Sequence, residues 1–407
     1  MTKKITQQLA LATCSLLASS ANAAEDWSVD GSYLSYVEAN DRVSVSKTLA
    51  NFERTLIDGK LSIGVVHDTM SGASPSGAIR SDDSLITFTS PSGSGGFTAN
   101  GTGDDALIPF TDTRVQFGAT REQQLTRVWQ VSYGGVFSSE NDYESFGTTV
   151  GIKREADNKL SSVNAGLAFT TDTIYRGDNN DTPGPLSNIS SGEAFGRGKR
   201  NTYDALLGYT RVLNRTTIAQ VNASVGLSEG YHTDPYKIIS AADENDRIIA
   251  NYYESRPDSR LRTALFGKVV HELANSDHSI NLSYRLYQDD WGIQSHTLDT
   301  RYHHTLTDRQ YLEPHLRFYH QSAADFYARK LDVDEALNPL LPDSGVVSAD
   351  YRLDELTSVT AGIKYGFKIS PDLDLRLRAE YLQQLYSESD FDTNEATIVQ
   401  SSLRYTF

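Results

Sequence analysis

Apolar or small residues alternate with polar ones along most of this chain. Thr217, Ala219, Val221, Ala223, Val225 and Leu227 interleave with Gln220, Asn222, Ser224 and Gly226; Leu373, Leu375, Leu377, Ala379 and Tyr381 interleave with Asp374, Arg376, Arg378 and Glu380. A period of two gives a strand one face toward an apolar medium and one toward water. The same pattern recurs at Leu61/Ile63/Val65, Trp129/Val131/Tyr133, Val163/Ala165/Leu167/Phe169, Tyr203/Ala205/Leu207/Tyr209, Ile280/Leu282/Tyr284/Leu286 and Val359/Ala361/Ile363/Tyr365/Phe367. It predicts about sixteen strands, and no shift in composition marks a domain boundary.

The spacing of these segments predicts their topology. Short turns are expected near Asp58-Gly59, at 121–124, 156–159, 212–215, 272–277, 306–310 and 370–372. Long connections are expected at 68–111, 172–201, 229–259 and 321–350, with shorter ones near 139–142, 290–294 and 387–394. Short and long connections alternate, as in an antiparallel transmembrane β-barrel with tight periplasmic turns and long extracellular loops. Tyr203, Tyr209, Tyr365, Phe367 and Tyr381 suit aromatic girdles at the two interfaces.

Both termini add to this picture. Lys3 and Lys4, an apolar stretch over 9–17 and Ala21-Asn22-Ala23 form a signal-peptide pattern, so residues 1–23 are expected to be removed and 24–407 to form one barrel domain. Leu403, Tyr405 and Phe407 resemble the closing-strand signal read by the outer-membrane barrel assembly machinery, an expected partner alongside outer-membrane lipid. Outer-membrane localisation is expected.

Composition narrows the chemistry. Cys14, the single cysteine, falls within the expected leader, which leaves no disulfide or thiol nucleophile. Without Lys3 and Lys4, 35 Lys+Arg stand against 53 Asp+Glu, a net charge of −18 that argues against nucleic acid as a partner. No cofactor and no metal site is expected. Asp104-Asp105 and the 178–181 segment lack the spacing of a calcium loop. Gly192 to Lys199 misses a phosphate loop by one residue and is expected to be a flexible basic loop end.

Facing inward, the C-terminal half is charged: Arg285, Asp299, Arg301, Glu313, Arg317, Asp374, Arg376, Arg378 and Glu380, with Arg262, Lys268, His303, His315, Lys364 and Arg404. Either these charges pair within a polar interior, or they form a basic strip favouring anionic solutes. At the long-loop rim, His232, Asp234, Asp289, Asp290, His296 and His320 supply the residue types of a general base and its partners, while Tyr231, Trp291 and Tyr327 are expected to anchor at headgroup level.

The segments Tyr231-His232-Thr233-Asp234-Pro235-Tyr236-Lys237, Arg256-Pro257-Asp258-Ser259-Arg260, Tyr287 to His296 and Tyr319 to Tyr327, with Asp68 and Ser71 to Pro75, strongly resemble the bacterial family "domain of unknown function 3570". That resemblance covers essentially all of the expected mature chain. It implies an outer-membrane-type protein of Gram-negative bacteria, brings no established activity, and suggests a cell-envelope redox setting with a periplasmic partner. The leading expectation is a porin-like channel or the outer-membrane component of an envelope system. The alternatives are a barrel enzyme using the His/Asp-rich rim, and a structural barrel with a plugged lumen.

Overall fold

The computed structural model describes residues 27–40, 42–79, 85–89, 96–100, 107–176, 182–191, 196–273 and 277–407. The expected leader, Asp104-Asp105 and the 178–181 segment lie outside them.

Sixteen strands close into one antiparallel barrel. In chain order they are β1 (Trp27–Glu38), β2 (Val43–Leu56), β3 (Gly59–Pro75), β6 (Leu107–Gln124), β7 (Trp129–Ser139), β8 (Tyr143–Glu155), β9 (Ser161–Ile174), β10 (Gly198–Asn214), β11 (Thr217–Gly230), β14 (Ser259–Glu272), β15 (Ser279–Asp289), β16 (Gln294–Thr307), β17 (Gln310–Gln321), β18 (Leu356–Ser370), β19 (Leu373–Tyr386) and β20 (Thr393–Thr406). Two hairpins lie outside the barrel wall: β4 (Leu85–Thr89) with β5 (Gly96–Asn100), and β12 (Ile238–Ala242) with β13 (Ile248–Tyr253). β1 pairs with β20, and Trp27 and Phe407 exchange backbone bonds of 3.0 and 2.9 Å at the end of that seam. Closure leaves no open edge, the condition for a sheet in lipid.

The alternation has the expected physical outcome. Leu167 (61% exposed), Leu207 (58%) and Phe117 (55%) belong to an apolar belt that covers the outside. An exposed apolar surface of this extent requires lipid around it. Arg54 stacks on Trp27 and Arg154 on Trp129, 5.1 and 5.6 Å from the ring centroids, at the turn end. Aromatic rings and arginines suit the headgroup level there.

Loops sort by end as the spacing predicts, with corrected boundaries. β6 runs through Gln124 and β10 through Asn214, so those turns fall at 125–128 and 215–216. β3 reaches Pro75 and β6 starts at Leu107, so the first long connection is 76–106. Strands of 17 or 18 residues, such as β3, β6 and β10, exceed the ~9–11 needed to cross a bilayer, and their upper parts carry the loops. Gly198, Lys199 and Arg200 belong to β10 and not to a flexible loop end; Arg200 Nη2 pairs with Asp172 at 2.7 Å. Residues 192–195 lie outside the described set.

Candidate functional site

At the long-loop end, three connections knit into a cap. Ala241 bridges to Leu331, Ser255 to Val347 and Asn188 to Tyr252. Ile239, Ala241, Leu331, Val347 and Ala349 form its dry centre, and Trp291, Ile293, Ala324 and Leu353 a second apolar cluster beside it. Trp291, 3% exposed, is therefore inside the cap and not at headgroup level; its indole donates to Ser259 O at 2.8 Å under Arg260. Tyr231 lies against Gly198, and Tyr327 packs on the Trp291 cluster. A Tyr or Trp that finds a buried hydrogen-bond partner or a ring neighbour gains more from packing than from the interface.

The cap reaches across the mouth. β11 is ninth and β3 third in barrel order, yet their loop segments meet: Ile238 N–H donates to Ser76 O at 2.9 Å, Lys237 donates to Pro75 O, and Ile79 N–H donates to Ser240 Oγ at 3.2 Å. On other sides Arg176 donates to Tyr253 OH at 2.6 Å, Asp354 accepts from Glu388 and Ser389 N–H at 2.9 Å, and Arg42 stacks on Tyr351 and Phe391.

Six charges lock the cap. Arg256 pairs with Glu254 at 2.6 Å and Asp350 at 2.7 Å; Arg352 pairs with Asp350 and, at 2.9 Å, with Asp234; Lys237 lies in the field of all three carboxylates. Glu254 is 0% and Asp350 1% exposed. Burial alone would raise Asp350, but Arg352, Lys237 and Arg256 outweigh it and hold its carboxyl well below the ordinary range; the same balance lowers Asp234. In formal charge three carboxylates balance three cations, which lowers the cost of burial, although burial still raises Glu254 and lowers Lys237.

The rim residues proposed from sequence divide among separate tasks. His232 Nδ1–H donates to Gly230 O at 2.8 Å and its Nε2 accepts from the Ser228 hydroxyl at 2.7 Å, a tautomer assigned from the partners. Burial, then Arg200, pushes His232 down to about 4. Asp234 belongs to the ionic lock. Asp289 accepts from Trp291 and Ile293 N–H and pairs with Arg260, which fixes the β15–β16 connection, and Asp290 accepts from Leu261 N–H at 2.9 Å. His296 and His320 are register partners on the outer face, bonded to Tyr284 OH and Thr357 Oγ1. The six do not meet at one point, because His296 and His320 face outward while the other four serve the loops.

Among the lumen residues, Asp299 meets His315 at 2.8 Å and Arg301 at 3.3 Å; His315 also reaches Glu380 at 2.7 Å, and Arg378 meets Glu380 at 3.3 Å. Glu313 pairs with Lys364 at 2.6 Å, and Arg376 pairs with Asp30. The His315–Glu380 bond joins β17 to β19 over Gly362 of β18, where any side chain would collide with Glu380. Asp204 and Arg262 meet in the same way over Gly226. Arg285 stacks on Tyr287 at 5.2 Å; among the described residues neither it nor Arg317 has a carboxylate within ion-pair distance, and Asp374 is likewise without an ion pair. Leu403, Tyr405 and Phe407 lie exposed on the outer face of β20 and at its end, with Tyr405 and Phe407 rings 5.4 Å apart.

Sequence reasoning missed one group at the rim. Asp112, Glu140 and Asp142 bring carboxylate oxygens within 4.8 Å of one another, a spacing and hardness suited to a divalent ion. Asp112 precedes the others by a whole strand pair, so no local motif announces them.

A closed sixteen-strand barrel with an apolar belt and a polar interior defines a transmembrane β-barrel of the outer-membrane type. The chain belongs to the family described as Protein of unknown function (DUF3570), whose model matches residues 6–400. Comparison with the curated proteins found no match. Among solved structures the chain is similar to CdiB from Acinetobacter baumannii (8% identity, 95% of this chain and 61% of that one, TM-score 0.49). It is also similar to the ferric enterobactin receptor PfeA of Pseudomonas aeruginosa (11%, 90% and 54%, 0.43) and to a bacterial polysaccharide outer membrane secretin (8%, 95% and 100%, 0.47). The chain spans little more than half the length of the first solved structures it matches. At such identities and scores, none of these likenesses bears on what this chain binds or moves.

Proposed function

We propose that this protein is a gated outer-membrane barrel, shut at its long-loop end by its own cap, and not a permanently open pore. The observation that carries this reading is the cap's crossing of the mouth, from the β11–β14 connection to the end of β3. Below it the lumen has open space: Arg317 points away from outward-facing Leu316 and Phe318 and is nonetheless exposed. Turns of two to six residues at the other end are too short to cover a sixteen-strand lumen. That end is the natural docking side for a periplasmic partner and the assembly machinery. In a planar bilayer the intact protein is expected to be silent or to open briefly. Replacing 238–253 with a flexible Gly-Ser linker should give steady conductance, and steady large currents from the intact protein would overturn the reading.

A barrel hydrolase is the second reading, favoured by the Ser228–His232 contact. A neutral His accepting from a Ser hydroxyl, with its other nitrogen fixed, is the arrangement of a nucleophile and its base. Ser228 is only 3% exposed, which gives a substrate no approach while the cap is closed. A fluorophosphonate probe should label neither the intact protein nor the linker variant; labelling lost in Ser228→Ala would promote this reading to first.

A further inference from the structure

The lumen is not uniformly neutralised. Most of its cations are committed to carboxylates, but Arg285 on β15 and Arg317 on β17 are not. The one acid in register with Arg317 is Asp299, and that carboxylate is already held by His315 and Arg301. Arg285 lies in the positive field of both Arg317 and Arg262, and Arg262 reaches its own acid, Asp204, at only 3.5 Å. Arg285 lies over the Tyr287 ring, 5.2 Å from its centroid, which holds the guanidinium against the lumen wall. Like charges grouped in a partly desolvated wall repel one another unless an anion joins them.

We infer that Arg285 and Arg317 form a binding site for an oxyanion on the β14–β17 side of the lumen, with Arg262 at its upper edge. A guanidinium presents paired N–H donors whose geometry matches carboxylate, phosphate or sulfate oxygens, and two of them on strands two apart bracket one such group. Thr297, across β16 from Arg285 in register, and Thr360, across from Arg317, offer hydroxyls on the same wall. Among the described residues Lys268 of β14 likewise has no carboxylate within ion-pair distance and adds its charge to the same wall, whereas Arg301, Lys364, Arg376 and Arg378 are each paired with an acid. A solute bearing a carboxylate, phosphate or sulfate group is thereby selected over a cation, which the same field repels. This deepens the gated-barrel reading by naming its solute class, but binding is measurable without any current.

The test is phosphorus NMR of inorganic phosphate added to the whole detergent-purified protein at constant ionic strength. The line should broaden with the native chain, and sulfate should reverse the broadening by competition. The double variant Arg285→Gln/Arg317→Gln should weaken apparent affinity by about tenfold or more, which is ~1.4 kcal/mol. Arg404→Gln, which removes a cation paired with Glu53 near the turn end, should leave binding unchanged. Folding of each variant is read from the gel shift on heating. Should the glutamine variant fail to fold, Arg285→Lys/Arg317→Lys keeps the charges and should retain weakened, sulfate-sensitive broadening. Absence of broadening with folded native protein overturns the inference, as does undiminished broadening in the folded double variant. Silent bilayers with intact phosphate binding leave this site standing, whereas steady currents with no binding refute it alone.

Discussion

Arg256→Ala is expected to open the cap while leaving the barrel wall assembled. The substitution removes the cation shared by Glu254 and Asp350, 0% and 1% exposed; Asp350 keeps Arg352, whereas Glu254 is left with hydrogen-bond donors and no ion-pair partner. Removing one partner from a buried ionic group costs about 3–5 kcal/mol, because the charge left behind must be desolvated alone. The wall, closed by its own backbone ladders, does not depend on Arg256. Protease should therefore cut the variant within 231–258 or 322–355, and bilayer conductance should rise, while the heat-dependent gel shift persists. Arg127→Ala supplies the contrast: its pair with Asp157 is 68% and 83% exposed, and its loss is expected to cost about 0–1 kcal/mol. An Arg256→Ala protein as protease-resistant as the native one would show that the ionic lock does not hold the cap. The lock also has a pH signature. Asp350 and Asp234 lie below the ordinary carboxylate range, so their contribution is complete above it and is lost as pH falls through their depressed values, whereas Glu254, raised by burial against the pull of Arg256, loses stability as pH rises from its ordinary value toward its raised one.

The barrel was legible because its signal is local. Leu373, Leu375 and Leu377 report their face to any reader who counts by two, and turns such as Asp58-Gly59 sit between neighbouring runs. Closure followed from the alternation of connection lengths. The cap was not legible for the opposite reason: Ile238-Ile239-Ser240-Ala241-Ala242 is a short apolar run with no alternation, and its partner Leu331 lies about ninety residues away. Trp291 reads as an interfacial anchor by type and becomes a core residue only when the Ala324 and Leu353 segments fold onto it. His296 and His320 share the type and rim position of His232, but strand parity sends them outward. The inward charged set was readable by parity; which members pair was not. Bonds such as His315–Glu380 pass over an intervening strand through a glycine, and no single strand's sequence contains that information.

Asp142→Asn is expected to stabilise the protein at neutral and alkaline pH and to flatten its pH dependence. Asp142 occupies the 140–142 connection at the rim, where burial, then Asp112, pushes its carboxyl up to about 7; Glu140 and Asp234 add to the rise, and the Tyr236 hydroxyl partly opposes it. In the unfolded chain the same group titrates near 3.8. Between those values the folded state keeps a proton that the unfolded state has released, so stability falls as pH rises from about 4 to about 7 and is level above that. At ~1.4 kcal/mol per unit the native chain loses roughly 4 kcal/mol at most over that window. Asparagine keeps the shape and accepts the neutral role at every pH. The heat-induced gel transition, followed in chelator-containing buffers from pH 5 to 8, should drop for the native protein and stay nearly constant for the variant. The gap between the two should be smallest at pH 5 and widen up to about pH 7, because the unfolded carboxyl is already ionised at the acid end while the folded one still keeps its proton. Parallel curves would mean that Asp142 ionises freely in the folded rim, and that the close approach of Asp112, Glu140 and Asp142 carries no electrostatic strain.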